Sequence, residues 1–397
     1  MSPVTPGRRA VIAALSVNLM SVLPLFLTGA MAVQIGRDFG VVPAAIAVLA
    51  SLFAVASMAS SAPLGRQVRR LGVRRSLRTT SVLNCIALLI AAYSPSIWVL
   101  GAAMVVAGTG NGLGQPAGNA LVAAQVSQAR YGLGFAIKQS AIPVATTLGG
   151  LAVPLLALTV GWRTAYFISA AIALCVMFLV PADRSRTAGR SESPVPATLI
   201  GPLWLLAVGL AAAVFAATSI GALGAAGGVH VGLSEAAAGY LVAAGGIAGL
   251  AIRLLAGAYA DRAVFDSLRG VAILVLVGGF GWLIMATDQP IAFAIGLVVA
   301  NAFGWGWPGL QHLSMARRFP TATAAASGIS QTGIAAGLLL GPAVLGVMVT
   351  TVGWSWSWLA AATAAFVAAV VIWRASRRIP QPQSEVHPVA ANPGIAS

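Results

Sequence analysis

Two basic side chains lie within long apolar stretches of the sequence, where a cation has few ordinary roles. Lys138 is the only lysine among the 23 Lys and Arg residues, and Arg253 lies in a second apolar stretch, one turn before Gly257. A cation in hydrocarbon costs about 2.5–3.5 kcal/mol on insertion scales, so such a residue indicates a functional site. The chemistry that this pattern predicts is the binding of an anion.

The acidic residues offer no partner to these two cations. All eight fall at the ends of apolar stretches, in loops or in the tail: Asp38, Asp183, Glu192, Glu235, Asp261, Asp266, Asp288 and Glu385. Because buried charges are normally paired or neutralised, we expect an anionic solute to supply the missing partner. Two alternatives remain for Lys138: its ammonium snorkels to the cytoplasmic surface, or burial keeps it neutral. Snorkelling is also an alternative for Arg253.

Amide side chains accompany the two cations. Asn111, Gln115 and Asn119 follow one another at steps of four, which places them on one helical face. Other amides in apolar stretches are Asn18, Gln139 and Gln331. Amides with a few rings suit a cavity for a small amphipathic solute. The alternative is that they form hydrogen bonds between packed helices.

The elements that must position these side chains are transmembrane helices. The chain is 59% hydrophobic and 8% charged, whereas a soluble domain carries about 25% charged residues. A helix needs about 20 apolar residues to cross the hydrocarbon. We predict an all-α membrane protein with twelve spans, numbered 1 to 12, at residues 10–35, 42–63, 79–94, 97–125, 131–160, 163–181, 203–229, 236–258, 268–287, 290–314, 322–351 and 355–374.

The distribution of cations predicts the orientation. With both termini in the cytoplasm, only Arg37 and Arg163 of the 23 cations lie outside, and only Lys138 and Arg253 lie within the spans. This is the asymmetry of the positive-inside rule. It explains the net charge of +15 without a nucleic-acid partner. The expected location is the cytoplasmic (inner) membrane, with multiple passes.

The sequence repeats itself once, at an offset of 192 residues. Gly65 aligns with Gly257, Pro116 with Pro308, and VGW at 160–162 with VGW at 352–354. Such a register predicts two parallel six-helix halves. The expected units are residues 1–181, a cytoplasmic linker at 182–202, residues 203–374 and a cytoplasmic, disordered tail at 375–397. The same offset sets Phe303, Trp307 and Gln311 opposite the amides Asn111, Gln115 and Asn119.

Two loops at equivalent places resemble a known signature. Residues 65–75 read GRQVRRLGVRR, and residues 257–262 read GAYADR. Both resemble the G-x-x-x-D-R-x-G-R-R cytoplasmic loop of the major facilitator superfamily. With the twelve spans and the repeat, the resemblance covers nearly the whole chain and implies a transporter of that fold. The residues that it implies for gating are Gly65, Arg70, Gly72, Gly257, Asp261 and Arg262.

The chain departs from the family pattern at several positions. Arg69 occupies the place of the first-loop aspartate, so only Asp261 could act as the acidic gate residue near a helix N-terminus. Topology alone is the alternative explanation for the loop arginines. Arg253 resembles the span-8 arginine of monocarboxylate-type facilitators, which engages the substrate carboxylate, but Gly249 replaces its acidic partner. Met104 stands where proton-coupled drug exporters carry an arginine.

The resulting expectation is a secondary active transporter that moves a small organic or inorganic anion by alternating access. The expected solute-binding residues are Lys138, Arg253, Gln139, Asn111, Gln115, Asn18, Trp307 and Gln331. We expect a monomer in the lipid bilayer with no cofactor, no metal and no enzymatic activity. Direction and a coupling ion such as a proton stay open. The alternatives are efflux of neutral or apolar drugs, and a membrane sensor that does not transport.

Overall fold

The computed structural model describes residues 6–127, 130–181, 194–262 and 266–381, and within these ranges every regular element is a helix. The helices are α1 (Pro6–Ala30), α2 (Ala32–Phe39), α3 (Pro43–Leu71), α4 (Val73–Ala92), α5 (Ile97–Gln125), α6 (Tyr131–Gln139), α7 (Ala141–Ala152), α8 (Trp162–Leu179), α9 (Ala197–His230), α10 (Glu235–Arg262), α11 (Ser267–Met285), α12 (Pro290–Gly304), α13 (Pro308–Arg318), α14 (Thr323–Thr351) and α15 (Trp354–Arg378). A π-helical turn, Val153–Ala157, follows α7.

These helices form twelve spans, which confirms the predicted all-α architecture. Among the described residues, eleven stretches are long and apolar enough to cross a membrane by length and composition. The twelfth is α4, whose first two turns carry Arg74, Arg75 and Arg78. Several predicted boundaries shift: span 1 ends at Ala30 and is followed by the separate α2, and α9 begins at Ala197 within the region predicted to be linker.

Two spans are interrupted, and proline lies at both interruptions. Span 5 divides into α6 and α7 at Ser140, and Pro143 has no N–H to donate to the carbonyl of Gln139 four residues earlier. Span 10 divides into α12 and α13, and Pro308 begins the second piece. The interruptions are not repeat-equivalent, because Ala335 replaces the proline in α14, which is continuous.

The 192-residue repeat is visible in the backbone. Gly161 and Gly353 precede the sixth helix of each half with φ of 94° and 98°, a left-handed conformation that glycine adopts without steric cost. Gly40 and Gly232, which share the same offset, also have positive φ, at 67° and 94°. The two halves therefore turn their chains at equivalent places by the same device.

Each half has its own hydrophobic core, and the halves meet along helices with small residues. One core is built from α1 to α8 and the other almost wholly from α9 to α15. The halves contact each other through α7 with α10 and through α3 with α14. Loop arginines gather at one end of the bundle, called here the arginine-rich end, where α5 and α13 finish. The other end, where α2 finishes and α10 begins, is called the opposite end.

Candidate functional site

Lys138 lies near the end of α6 and is fully buried, with 0% of its surface exposed. Its Nζ donates a hydrogen bond to Oε1 of Gln115 on α5. Gly118 faces the lysine stem: a Cβ at that position would lie 3.3 Å from Cε of Lys138. The ammonium thus points into the first half of the bundle, in contrast to the snorkelling alternative.

Gln115 connects Lys138 to a buried network of amides. Its Nε2 donates to Oδ1 of Asn18 on α1 at 2.7 Å. Asn18 in turn donates from Nδ2 to the carbonyl oxygen of Lys138 at 3.2 Å and to Oε1 of Gln139 at 3.4 Å. Four of the predicted site residues are therefore joined by hydrogen bonds across α1, α5 and α6.

Two serines that the sequence did not single out extend the network. Asn111 accepts from Oγ of Ser21 at 3.1 Å and donates to Oγ of Ser57 at 2.8 Å. Gln115 also reaches Oδ1 of Asn111, at 3.5 Å. Ser21 follows Asn18 by three residues on the same helical face, which was a usable signal. Ser57 had no comparable signal, because serine is common in packed transmembrane helices.

Arg253 is the second buried cation, with 1% of its surface exposed. Its Nη1 donates to the carbonyl of Gln139 and its Nη2 to the carbonyl of Trp305. The first carbonyl belongs to the α6–α7 break in one half, and the second to the α12–α13 break in the other. Nε of Arg253 is buried without a hydrogen-bond partner.

Gly249, where monocarboxylate-type facilitators carry the acidic partner, is closely surrounded by neighbouring helices. A Cβ at Gly249 would lie 3.3 Å from the carbonyl oxygen of Asn301 and 3.6 Å from Cβ of Pro143. Asn301 itself is buried, and its Nδ2 has no hydrogen-bond partner. This region of α10 and α12 therefore holds two unpartnered donors, Nδ2 of Asn301 and Nε of Arg253.

The described carboxylates have partners at the helix ends instead. Asp38, Glu235, Asp266 and Asp288 each contact a nearby cation or hydroxyl there. None of these four is hydrogen-bonded to Lys138 or Arg253. In the described part of the chain, no three His, Cys, Asp or Glu side chains are grouped to hold a metal ion.

Two predicted site residues do not join the network. Trp307 is fully buried and donates from Nε1 to the carbonyl of Gly304 at 2.8 Å, so it closes the break in its own span. Gln331 is half-buried on α14, apart from the amides around Lys138. Its neighbour Ser330, the repeat counterpart of Lys138, instead accepts a hydrogen bond of 2.9 Å from Gln311.

The predicted gating loops are described only in part. Gly72 joins α3 to α4 with φ of 81°, and Arg70 is exposed just before it. Gly257 is buried within α10. Gly65, Asp261 and Arg262 lie in helices, but the burial of Gly65 and the side chains of Asp261 and Arg262 fall outside the described part of the structure.

The halves touch at the arginine-rich end through α6 and α13. The rings of Phe135 and His312 stack with centroids 5.8 Å apart, and Nδ1 of His312 lies 2.8 Å from the carbonyl of Pro308. A Cβ at Gly309 would lie 3.2 Å from Cα of Ala136. This contact lies between Lys138 and the arginine-rich end.

At the opposite end, Glu235 of α10 holds α2 of the first half. It accepts from Nε2 of Gln34 at 2.7 Å and from Arg37 at 2.5 Å, and it raises the pKa of Arg37. Beside it, hydrogen bonds from Trp162 and Arg163 lower the pKa of Asp38. Glu235 is thus a link between the halves, whereas Asp38 acts within one half.

We expect Glu235→Gln to loosen α2. The neutral amide loses the ion pair with Arg37, and an exposed ion pair makes only a small contribution to stability. Hydrogen exchange of the α2 backbone amides should then rise about two- to fivefold. Asp288→Asn is the matched control: it removes a carboxylate at the same end of the bundle that contacts His230 and Ser355, and it should leave α2 unchanged. Equal exchange in both variants would show that Glu235 does not restrain α2.

Comparison with known proteins agrees with this architecture. A family model described as Major Facilitator Superfamily matches residues 11–321 and, in an overlapping second match, residues 230–394. A search of curated proteins gives no match. The family model spans most of the chain and both halves of the repeat. The chain is therefore a membrane transporter protein that belongs to the major facilitator superfamily.

Proposed function

We propose that this protein is a secondary active transporter that moves a small organic or inorganic anion across the cytoplasmic membrane. The proposal rests on the burial and the hydrogen-bond partners of two cations. Lys138 and Arg253 are fully buried, and their hydrogen-bond partners are an amide oxygen and two backbone carbonyls. Neutral oxygens do not balance two buried charges, and an anion would.

The chemistry of the neighbouring groups supports an oxyanion in particular. An oxyanion adds the attraction of opposite charges to the hydrogen bonds of an ammonium or guanidinium, which an amide or carbonyl oxygen does not. A carboxylate or phosphate could displace Gln115 from Lys138 and accept a hydrogen bond from the unpartnered Nε of Arg253. The amides of Asn18, Gln115 and Gln139 would then orient the solute.

The two halves supply the movement that alternating access requires. We propose that residues 1–181 and 203–374 rock about the α7–α10 contact, with 182–202 as the linker. Lys138 is buried, and the halves are in contact at both ends of the bundle. Opening of the α6–α13 contact would expose the site at the arginine-rich end, which we assign to the cytoplasm by the positive-inside rule. Opening around Glu235 would expose it on the other side.

The loops at the arginine-rich end are proposed to regulate that opening. Only the second-half loop keeps an acidic residue, Asp261, while Arg69 replaces it in the first half. An anionic side chain near a helix N-terminus is stabilised by the helix dipole. Gating would therefore differ between the halves, with Asp261 and Arg262 acting in one of them.

A flux screen in proteoliposomes tests the proposed function. The purified chain would be tested with small carboxylates and phosphate, with neutral apolar drugs, and with organic cations, each with and without a pH gradient. We expect saturable flux of an anion and of neither other class. Transport of neutral drugs alone would favour efflux of such compounds, and the absence of flux for all classes would favour a sensor.

A further inference from the structure

We propose that Arg253 is a latch that holds the two halves together until a substrate anion releases it. The latch consists of the Arg253 guanidinium and the carbonyl oxygens of Gln139 and Trp305. The inference rests on the proposed function for the identity of the releasing ligand, but the latch itself is a property of the ligand-free protein.

The two carbonyls are available because both helices are interrupted where they meet Arg253. In a continuous helix, the carbonyl of Gln139 would accept from the N–H of residue 143, and that residue is proline. In span 10, Trp305 lies between α12 and α13, outside both helices. Buried carbonyls need a donor. The guanidinium of Arg253 donates to both carbonyls, at the α6–α7 break in the first half and at the α12–α13 break in the second.

The position of Arg253 on α10 supports a role between the halves. Gly239, Gly246 and Arg253 follow one another at steps of seven, on one face of α10. Gly239 packs against Gly150 of α7, and Gly246 packs against Pro143 and Thr147. The same face therefore runs from a close glycine contact to the Arg253 guanidinium.

The two cations differ in what they connect. Lys138 and its partner Gln115 both belong to the first half. Arg253 belongs to the second half and reaches across to Gln139 as well as to Trp305 in its own half. Loss of the Lys138 charge should therefore leave the contact between the halves intact, whereas loss of the Arg253 guanidinium should not.

Release follows from competition between acceptors. A guanidinium binds a carboxylate or phosphate through two parallel hydrogen bonds between opposite charges, an attraction that neutral carbonyls do not offer. Nε of Arg253 and Nδ2 of Asn301 are unpartnered donors nearby. An oxyanion that binds the guanidinium would deprive the carbonyls of Gln139 and Trp305 of their donor. The interrupted helices at both breaks would then be free to move.

The test measures the separation of the halves by spin labels at the arginine-rich end. Cys85 and Cys175, the described free cysteines, would be replaced by alanine. Labels would be attached at Ala124→Cys and Thr321→Cys, two exposed positions beyond the latch. In ligand-free protein, Arg253→Gln should raise the population with the longer distance at least about tenfold. Lys138→Gln, the matched control, should keep the distance distribution of the parent.

A second variant tests the latch without changing Arg253. Pro143→Ala restores an N–H that can bond the carbonyl of Gln139 within the helix. It should shift the distances in the same direction as Arg253→Gln, so the test survives if Arg253→Gln does not fold. An unchanged distribution in Pro143→Ala and in any folded Arg253→Gln, or an equal shift in Lys138→Gln, would overturn the latch.

Anion release is measured with sodium acetate and sodium phosphate as probes, against sodium chloride. We expect acetate or phosphate to lengthen the label distance in the parent and not in Arg253→Gln. If neither does so, release by an oxyanion is wrong, whatever the flux screen finds. If the screen finds no anion flux while the ligand-free distances still depend on Arg253, the latch stands and the proposed substrate class fails.

Discussion

Lys138→Gln should reduce anion transport at least about tenfold, because a hydrogen bond to a charged group contributes about 1.5–3 kcal/mol and each 1.4 kcal/mol is a factor of ten. The variant removes the only lysine and the centre of the amide network. If the ammonium binds the anion equally before and during translocation, the loss will fall on the half-saturating concentration. If it acts mainly during translocation, the maximal rate will fall.

The same variant should fold at least as stably as the parent. A lysine within hydrocarbon costs about 2.5–3.5 kcal/mol, and no described carboxylate offsets this cost at Lys138. Glutamine removes the charge and keeps a donor that can face Oε1 of Gln115. Functional groups that are unfavourable for folding are expected at binding sites. Loss of transport without loss of stability would therefore identify Lys138 as a binding residue.

Thermal unfolding and flux measured together distinguish these outcomes. Arg9→Gln is the matched control, because it removes one exposed cation from the same half at the first turn of α1. It should leave both flux and the midpoint of unfolding unchanged. A Lys138→Gln protein that transports the anion with the parent's affinity and rate would rule out the anion site. A fall in stability together with flux would indicate a packing role.

The sequence was sufficient for the architecture because hydropathy and a duplicated register determine it. Twelve apolar stretches and matched pairs such as Gly161 and Gly353 left little choice of fold. The sequence also allowed Lys138, Asn18, Gln115 and Gln139 to be predicted as one site, since polar residues within apolar spans have few partners other than each other.

The contacts between the halves were not predictable in the same way. Pro143 indicates that the carbonyl of Gln139 lacks an intrahelical donor, but not that Arg253 supplies one. That pairing depends on how two helices from different halves cross. Trp307 was expected beside the solute from its repeat position, whereas its indole closes the break at Gly304. Repeat symmetry fails here because only span 10, and not its counterpart span 4, is interrupted.

The glycine contact between α7 and α10 explains why small residues are needed beside the site. Gly150 and Gly239 face each other: a Cβ on Gly239 would lie 2.8 Å from the carbonyl oxygen of Gly150. Because lipid tails are as apolar as the side chains, the hydrophobic effect does not drive transmembrane helices together. They associate instead through close packing of small residues. The proposed rocking motion must pass through this contact, since it joins the halves from the opposite end to Arg253.

Gly246→Leu should therefore stop transport and lower stability. A Cβ at Gly246 would lie 2.8 Å from both the carbonyl oxygen of Pro143 and the N of Thr147, and these backbone atoms cannot move aside as a side chain can. Overpacking of this kind costs about 1–3 kcal/mol. Separation of the helices would also draw Arg253, two turns further along the same face, away from Gln139. Flux and the midpoint of thermal unfolding should both fall.

Gly201→Leu provides the matched control for this substitution. Gly201 is exposed on α9, and a Cβ there would meet no atom within 4 Å. Leucine also favours helix over glycine by up to about 1 kcal/mol, so this variant should transport normally and unfold at the same or a higher temperature. The comparison separates close packing from the change of residue type. Normal flux in Gly246→Leu would mean that the halves do not move about the α7–α10 contact, and the proposed pivot would have to lie between α3 and α14.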